Sequence, residues 1–254
     1  MILLRKAKDR HHDRRRKREV WCTFHSQDRR DPLANGFAAL EIFNENRLRP
    51  GASVPRHSQH DAEIITYVRE GALAYQDSLG GACILRAGEF QRMTVAAGIR
   101  RNGTNASPRD PAHVFQIWLR PAALGLEPSQ EQKRFSVAER RGLLCAIASC
   151  DGRKGSLRIH QDAVLHSALL ERGQHIVHEL SPGRSAWVHL VEGEATLGGV
   201  LLGAGDGAGV VADRAVSLTA REKTEILLLD LSSADPSSLS ELPFERHASL
   251  LQID

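Results

Sequence analysis

Short apolar segments separated by glycine-containing turns recur along most of the chain, and this pattern restricts the fold more than any other feature. One series covers residues 37–43, 63–69, 72–76, 83–85 and 114–119, and a second covers 156–160, 175–180, 186–191, 194–197, 216–219 and 225–231. Many short strands with frequent turns are typical of antiparallel sandwiches and barrels and do not suit βαβ units. The sequence therefore predicts an all-β fold.

Two domains are expected from the length and from a change in composition near the middle. A chain of 254 residues forms one large or two small domains. Residues 121–141 are rich in Gln, Glu, Pro and Arg and lack a sustained helical pattern, so we place the link there. We expect one barrel over residues 1–135, a second over 136–231, and a Ser-rich linker and tail over 232–254.

The two halves also share a local pattern that suggests a duplicated barrel. Residues 67–73 resemble residues 188–195, because each segment is an apolar strand that ends in Glu-Gly, at Gly71 and Gly193, before a new strand begins. Glycine at such a turn adopts backbone angles that are unfavourable for other residues. We expect the two segments to occupy equivalent places.

Composition and hydropathy indicate a cytoplasmic protein. The apolar runs 142–150 and 195–205 are shorter than the roughly 18 residues of a membrane-spanning helix, so no membrane contact is expected. The first eight residues lack the apolar core of a secretory signal. Four cysteines in such a chain are interpreted as reduced thiols rather than as a disulfide framework.

Positive charge is concentrated near the N-terminus. Residues 1–30 hold 11 Lys/Arg and 4 Asp/Glu, whereas the whole chain has a net charge of only +3. The run 10–18 could bind phosphate backbones by charge alone, but charge runs are usually solvated loops. Trp21 and Phe24 follow the run and are not interleaved with it, so stacking on bases is not indicated. Nucleic acid is therefore not the expected partner.

Two spaced motifs carry a family resemblance. The pattern Gly51-x5-His57-x-Gln59-x3-Glu63-x7-Gly71 resembles the first cupin motif, and Gly88-x12-Arg101-x3-Asn105 resembles the second. Shorter matches in the right order resemble the pirin family of bicupins. They lie at residues 23–24, 31–32, 36–37, 61–68, 76–78, 87–91, 116–118 and 155–162.

The pirin resemblance implies two cupin barrels in one chain, with a metal ion, usually iron, in the N-terminal barrel. Some bacterial pirins are flavonol (quercetin) 2,3-dioxygenases, and the mammalian member is a nuclear cofactor of transcription. The family takes its four metal ligands from His-x-His and His-x-Glu. The matching positions here are His57, Gln59, Arg101 and Gly103, so one ligand of the four remains.

A binding pocket without metal is expected inside the N-terminal barrel. Alternation along one strand predicts that His57, Gln59, Asp61 and Glu63 face inward together. Arg101 remains protonated and offers no lone pair to a metal ion. It either binds an anionic ligand or forms a buried ion pair with Glu63 or Asp61.

A weak metal site is the alternative. His57 and Glu63 would then be its candidate ligands, for iron or another divalent ion, whereas a redox iron centre usually needs three protein ligands. We expect no cofactor in the favoured interpretation.

Two further groups of residues are candidates for a functional role. Cys145 and Cys150 lie near several arginines and lysines, and such cations lower the pKa of a thiol. The two cysteines are therefore candidates for a redox-responsive pair, and the alternative is that they are inert buried cysteines.

The histidines of the C-terminal half lack His-x-His spacing, and we expect that barrel to be structural. His160 is expected to pack or form hydrogen bonds at the junction of the barrels.

The favoured interpretation is a pirin-like bicupin with a lost metal site. Such a protein would act as a non-catalytic module that binds a small molecule, an anionic one where Arg101 holds the ligand, or a protein partner. One alternative is a quercetin 2,3-dioxygenase-like oxidoreductase. A further alternative is binding to nucleic acid or a transcription complex through the basic run.

Overall fold

The computed structural model describes residues 1–24, 30–54, 62–77, 81–95, 101–123 and 125–232, and at Arg101 it describes the backbone alone. This part of the chain consists of β-strands, turns and three short helical segments. The helical segments are 3-10 turns at Ala7–Asp9 and Arg153–Gly155 and a one-turn α-helix, α1, at Val137–Arg140. None of these helices has the length and hydrophobicity needed to cross a membrane.

The strands confirm the all-β prediction. The first eleven are β1 (Ile2–Arg5), β2 (His11–Arg15), β3 (Arg18–Cys22), β4 (Leu40–Leu48), β5 (Ala62–Glu70), β6 (Ala72–Asp77), β7 (Ala82–Arg86), β8 (Glu89–Val95), β9 (Arg101–Asn105), β10 (Ala112–Leu119) and β11 (Ser129–Arg134). The remaining strands are β12 (Cys145–Ser149), β13 (Leu157–Arg158), β14 (Ala163–Leu170), β15 (His175–Glu179), β16 (Arg184–Glu192), β17 (Glu194–Leu197), β18 (Val200–Gly203), β19 (Gly207–Val210), β20 (Ala215–Ala220) and β21 (Thr224–Ser232).

Each half of the chain forms a barrel of one large and one small sheet. The N-terminal sheet has the order β11-β8-β5-β10-β4-β3-β2 and faces a smaller sheet β7-β6-β9. The C-terminal sheet has the order β1-β19-β16-β21-β14-β12-β13 and faces a smaller sheet β15-β20-β17-β18. The two large sheets each have seven strands and correspond in order, whereas the smaller sheets have three and four strands, so the described part of the chain is a duplicated two-sheet barrel.

The predicted equivalence of the two Glu-Gly turns is confirmed. Gly71 separates β5 from β6, and Gly193 separates β16 from β17, with φ angles of 75° and 84°. A Cβ atom on Gly71 would lie 2.5 Å from the carbonyl oxygen of Pro111, and one on Gly193 would lie 2.3 Å from that of Lys223. Both the backbone angle and the close approach of a neighbouring loop therefore require glycine.

The first strand differs from the sequence prediction, which placed residues 1–135 together in one barrel. Strand β1 pairs antiparallel with β19, so the N-terminus lies in the C-terminal sheet. It takes the edge position that β11 takes in the N-terminal sheet, where β11 pairs with β8. The chain passes from one sheet to the other between Arg134 and Cys145, and residues 233–254 of the expected tail lie outside the described residues.

The basic run is also more ordered than a solvated loop. Residues 11–15 and 18–22 form the antiparallel hairpin β2–β3, whose turn holds Arg16 and Lys17. Strand β3 pairs with β4, which joins the hairpin to the N-terminal sheet. Apolar and aromatic residues at the end of this run, including a buried Val20, explain why it extends the sheet.

The main hydrophobic core lies between the two large sheets. It combines residues of the N-terminal sheet, such as Phe43, Tyr67 and Phe115, with residues of the C-terminal sheet, such as Trp187 and Leu229. Each large sheet is thus buried on two faces, one toward its own barrel and one toward the other half. This explains the nearly continuous apolar sequences of β5, β10, β16 and β21.

His189 lies inside this core. It is fully buried, its ring centroid is 4.3 Å from that of Phe43 and 6.0 Å from that of Phe115, and neither ring nitrogen has a hydrogen-bond partner in the described part of the chain. Burial lowers the pKa of His189 well below its usual value, and electrostatic interactions with Arg10 and His113 lower it further, against the opposing effect of Glu45. The folded protein therefore holds this imidazole in its neutral form.

We predict that stability decreases on acidification because of His189. Below about pH 6.5 the unfolded chain binds a proton at this residue and the folded chain does not, so the free energy of unfolding should fall by up to about 1.4 kcal/mol per pH unit. His189→Leu should flatten the profile of unfolding free energy, measured by urea denaturation between pH 5 and 7. His175→Leu, at an exposed position, is the matched control, and parallel profiles for all three proteins would contradict the prediction.

Candidate functional site

The interior of the N-terminal barrel carries a row of uncharged polar side chains, which we call the polar belt. Its members are Asn44 on β4, Gln116 on β10, Thr66 on β5 and Gln91 on β8. They are direct cross-strand neighbours in the N-terminal sheet, and all four are buried.

Residues of the smaller sheet complete this row from the opposite wall. The hydroxyl of Tyr75 lies 3.2 Å from Thr66 Oγ1 and accepts a hydrogen bond of 3.4 Å from Gln116 Nε2. Gln91 Nε2 donates to Cys83 Sγ at 3.2 Å. Because these contacts join two facing sheets, the polar belt lies within the barrel.

Part of the hydrogen-bonding capacity of this interior is unused. The side-chain amide of Asn46 is fully buried, and neither its nitrogen nor its oxygen has a partner in the described part of the chain. The same holds for Gln116 Oε1. Buried polar atoms without partners lower the stability of the folded protein. These amide groups are therefore suited to hydrogen bonds with a bound water or with the polar groups of a ligand.

Glu63 differs from the expectation that it faces the barrel interior. Its carboxylate accepts hydrogen bonds from the backbone nitrogens of His160 and Gln161, each at 2.7 Å, and contacts His160 Nδ1 at 2.9 Å. The side chain is fully buried on the face that packs against the C-terminal half. His160 therefore forms hydrogen bonds at the barrel junction, as expected.

The reason for this difference is the two-sided burial of β5. Ile64, Thr66 and Val68 point into the barrel, whereas Glu63, Ile65 and Tyr67 point toward the C-terminal half. Both sets of side chains are buried, so the hydrophobicity of β5 does not show which set points into the barrel and which points toward the C-terminal half.

The other predicted pocket residues are described only in part. His57, Gln59 and Asp61 lie outside the described residues, as does the side chain of Arg101. The backbone of Arg101 begins β9 and pairs with Asp77. The inward orientation of these residues and the ion pair of Arg101 with Asp61 therefore stay predictions, whereas Glu63, the other expected partner, faces the C-terminal half. Within the described residues, no group of three or more His, Cys, Asp or Glu could hold a metal ion.

Gly103 is described and is tightly packed. It pairs with Tyr75 in the smaller sheet. A Cβ atom on Gly103 would lie 2.7 Å from Tyr75 Cε1 and 2.8 Å from Val54 Cγ2. Both neighbouring side chains are buried, so this position has no room for a side chain unless the barrel wall shifts.

The proposed cysteine pair is contradicted by the geometry. Cys145 begins β12 and Cys150 directly follows its last residue, so at about 3.3 Å per residue their Cα atoms are roughly 16 Å apart. A disulfide needs about 7 Å or less. Both thiols are free, and burial, together with the negative charge of Glu139, raises the pKa of Cys145 in spite of the nearby cations.

The C-terminal barrel contains a polar cluster that the sequence did not reveal. His178 Nε2 lies 2.7 Å from a carboxylate oxygen of Asp230, whose other oxygen accepts from Arg184 Nε at 2.5 Å. The ring of His166 is 5.0 Å from that of His178, and burial, then the charge of His178, lowers the pKa of His166 to about 4. These residues come from four separate strands, and no spacing rule connects them.

Comparison with known families matches both halves of the chain. The family model described as Pirin matches residues 5–119, and the model described as Quercetinase C-terminal cupin domain matches residues 146–231. The matched regions correspond to the two barrels.

Similar proteins cover nearly the whole chain. A quercetin 2,3-dioxygenase of Escherichia coli K12 is 37% identical over 91% of this chain and 99% of its own length. A pirin-like protein of Caulobacter vibrioides is 35% identical over 79% of this chain and 86% of its own length. The crystal structure of the bacterial pirin YhhW of Escherichia coli in complex with nickel(II) is 36% identical, with a TM-score of 0.84 over 92% of this chain and 100% of that chain.

We predict that Gly103→Ala destabilises the protein. Overpacking against Tyr75 and Val54 should lower the free energy of unfolding by about 1 to 3 kcal/mol, which corresponds to about 2 to 4 °C in melting temperature per kcal/mol. Gly203→Ala is the matched control, because Gly203 also lies in a strand and its Cβ position is open. It should stay within about 0.5 kcal/mol of wild type.

Adding Val54→Ala to Gly103→Ala should restore part of the lost stability by making room. The measurement is thermal and urea unfolding of all four proteins. Equal stability of the Gly103 and Gly203 variants would show that this position is not restricted by packing.

Proposed function

The chain belongs to the pirin family, and from that premise we propose that its N-terminal barrel binds a small polar organic molecule without a metal ion. In this proposal the protein is a non-catalytic binding or regulatory module. The observation that carries it is the uncharged polar belt, with the buried amide groups of Asn46 and Gln116 that have hydrogen-bonding capacity to spare.

The residues at the family's ligand positions do not fit a divalent metal. Of His57, Gln59, Arg101 and Gly103, only the histidine is a good donor, and the arginine adds a positive charge without a lone pair. The packing of Tyr75 and Val54 around Gly103 leaves no space for a carboxylate from that position. No chemical step of this chain is therefore assigned to a metal.

The ligand class follows from the relatives and from the chemistry of the barrel. A flavonol has planar aromatic rings and several hydroxyl groups that both donate and accept hydrogen bonds. Amide groups can satisfy these hydroxyls, and apolar walls formed by Ile64 and Trp118 lie next to the polar belt. Arg101 would favour a flavonol with an ionised hydroxyl or another anionic molecule. A protein partner that responds to ligand binding is compatible with this role.

The second candidate is a metal-dependent quercetin 2,3-dioxygenase. It is favoured by the 37% identity to a relative of that name and by the nickel complex of a similar pirin. It would need an altered ligand set. Glu63, the carboxylate proposed for that set, is held instead by the backbone nitrogens of His160 and Gln161. This observation makes the enzyme the weaker candidate.

We predict that protein treated with EDTA binds quercetin and that oxygen is not consumed after iron, nickel or manganese is added. Gln116→Leu should weaken binding about 5- to 150-fold, which corresponds to about 1 to 3 kcal/mol for a lost hydrogen bond and an unpaired partner. Gln132→Leu, on the exposed strand β11, is the matched control and should bind as wild type does.

Binding is measured by calorimetry, oxygen uptake with an electrode, and bound metal by elemental analysis. Oxygen consumption that disappears in His57→Ala would establish the dioxygenase and overturn the proposal. Failure of the EDTA-treated protein to bind quercetin or a related flavonol would remove this ligand class.

A further inference from the structure

The β2–β3 hairpin encloses a strongly basic cavity away from the barrel interior. The cavity has a volume of about 530 Å³ and lies between the hairpin, the end of β4 and Pro111. Seven of its ten lining residues are Lys or Arg, and one is Glu. The positive charges come from two separate chain segments, 14–18 and 47–49, so the fold makes them converge.

These charges are only partly neutralised. Arg14 lies 3.5 Å from Glu19, Arg15 and Arg18 share Asp13, and Arg47 lies 3.7 Å from Glu45. In the described part of the chain, Arg16, Lys17 and Arg49 have no carboxylate within 4.0 Å, and all three are exposed.

Arg18 lies close to another positive charge of this cavity, that of Arg15. It is partly buried, its Nε atom has no hydrogen-bond partner among the described residues, and burial and the charge of Arg15 lower its pKa. A concave surface with excess charge of one sign attracts counter-ions strongly, and binding them reduces the repulsion among its like charges.

The shape of the site favours a compact anion. A volume of about 530 Å³ lies within the range of small-molecule sites, which is roughly 300 to 1,000 Å³. Arginine binds phosphate oxygens with several donors at once, so several arginines around one cavity suit a ligand with several phosphate groups. We propose that this cavity binds a compact polyanion that carries two or more phosphate groups.

The geometry of Trp21 argues against a single-stranded nucleic acid as the occupant. His12 of β2 stacks on Trp21 with ring centroids 4.6 Å apart and planes at 5°. Arg47 of β4 lies 5.5 Å from the centroid of the same ring. Strands β2 and β4 lie on opposite sides of β3, so the indole is covered from both sides and offers no free face for a base.

The test is a calorimetric titration of the full-length protein with inorganic tripolyphosphate. We expect binding that weakens at least about tenfold between about 50 mM and about 200 mM salt, because several ion contacts are replaced by salt ions. Inorganic monophosphate should bind at least about tenfold more weakly than tripolyphosphate, since it reaches fewer of the converging cations.

The variant Arg16→Gln/Lys17→Gln/Arg49→Gln should lose at least about tenfold in affinity for tripolyphosphate. The matched control, Arg214→Gln/Arg221→Gln/Lys223→Gln, removes three exposed positive charges from the C-terminal half and should keep the affinity of wild type. Thermal unfolding of both variants verifies that each remains folded.

Three results would overturn the proposal. Equal losses in the two triple variants would mean that tripolyphosphate responds to net charge and not to this cavity. Absence of tripolyphosphate binding to wild type at low salt would remove the site. Tighter binding of a duplex DNA, also lost in the hairpin variant, would assign the surface to nucleic acid instead of a compact polyanion.

Discussion

The packing of the two large sheets against each other is the constraint on which the other features depend. In a sheet that is covered on both faces, a buried polar group without a partner is costly, because little water reaches either side. At the junction, Glu225 accepts hydrogen bonds from the hydroxyl of Tyr67 at 2.6 Å, from Arg69 at 2.9 Å and from Arg140 at 3.2 Å. Carboxylates here connect the halves through charge-assisted hydrogen bonds.

The same junction determines which charges remain for the N-terminal barrel. Glu45 is held by Arg10 and His113, and although burial opposes ionisation, these hydrogen bonds lower its pKa to about 2. Glu63 is held by the backbone of His160 and Gln161. Both of these buried carboxylates of the large N-terminal sheet thus face the C-terminal half. The polar belt on the barrel side is uncharged, which suits an uncharged polar ligand better than a cation.

Much of the fold could be predicted from the sequence, and the failures have physical causes. The Glu-Gly turns at Gly71 and Gly193 were informative because a positive φ angle and a close backbone approach leave glycine as the only suitable residue. The pairing of β1 with β19 left no signal, since a contact across about 200 residues depends on which edge is free. Cys145 and Cys150 were close in sequence, but an extended strand separates them.

The candidate site was less predictable than the fold. Family spacing predicted ligand positions that mostly lie outside the described residues, and the face of β5 could not be read from a strand that is apolar on both sides. The basic run seemed to lack an aromatic neighbour because Trp21 follows it in sequence. Antiparallel pairing of β2 with β3 nevertheless places Trp21 directly opposite His12. Periodicity along one strand does not report what lies across the sheet.

The packing around Gly103 bears on the proposed absence of a metal site, because it involves more than single residues. Replacing Arg101 by histidine would remove a positive charge and add one donor, while a carboxylate at position 103 would still collide with Tyr75 and Val54. Tyr75 cannot move without giving up its contacts to Thr66 and Gln116 in the polar belt. A side chain at position 103 would therefore displace Tyr75 and break its hydrogen bonds to the polar belt. Conversely, as long as Tyr75 keeps these hydrogen bonds, position 103 has room only for glycine.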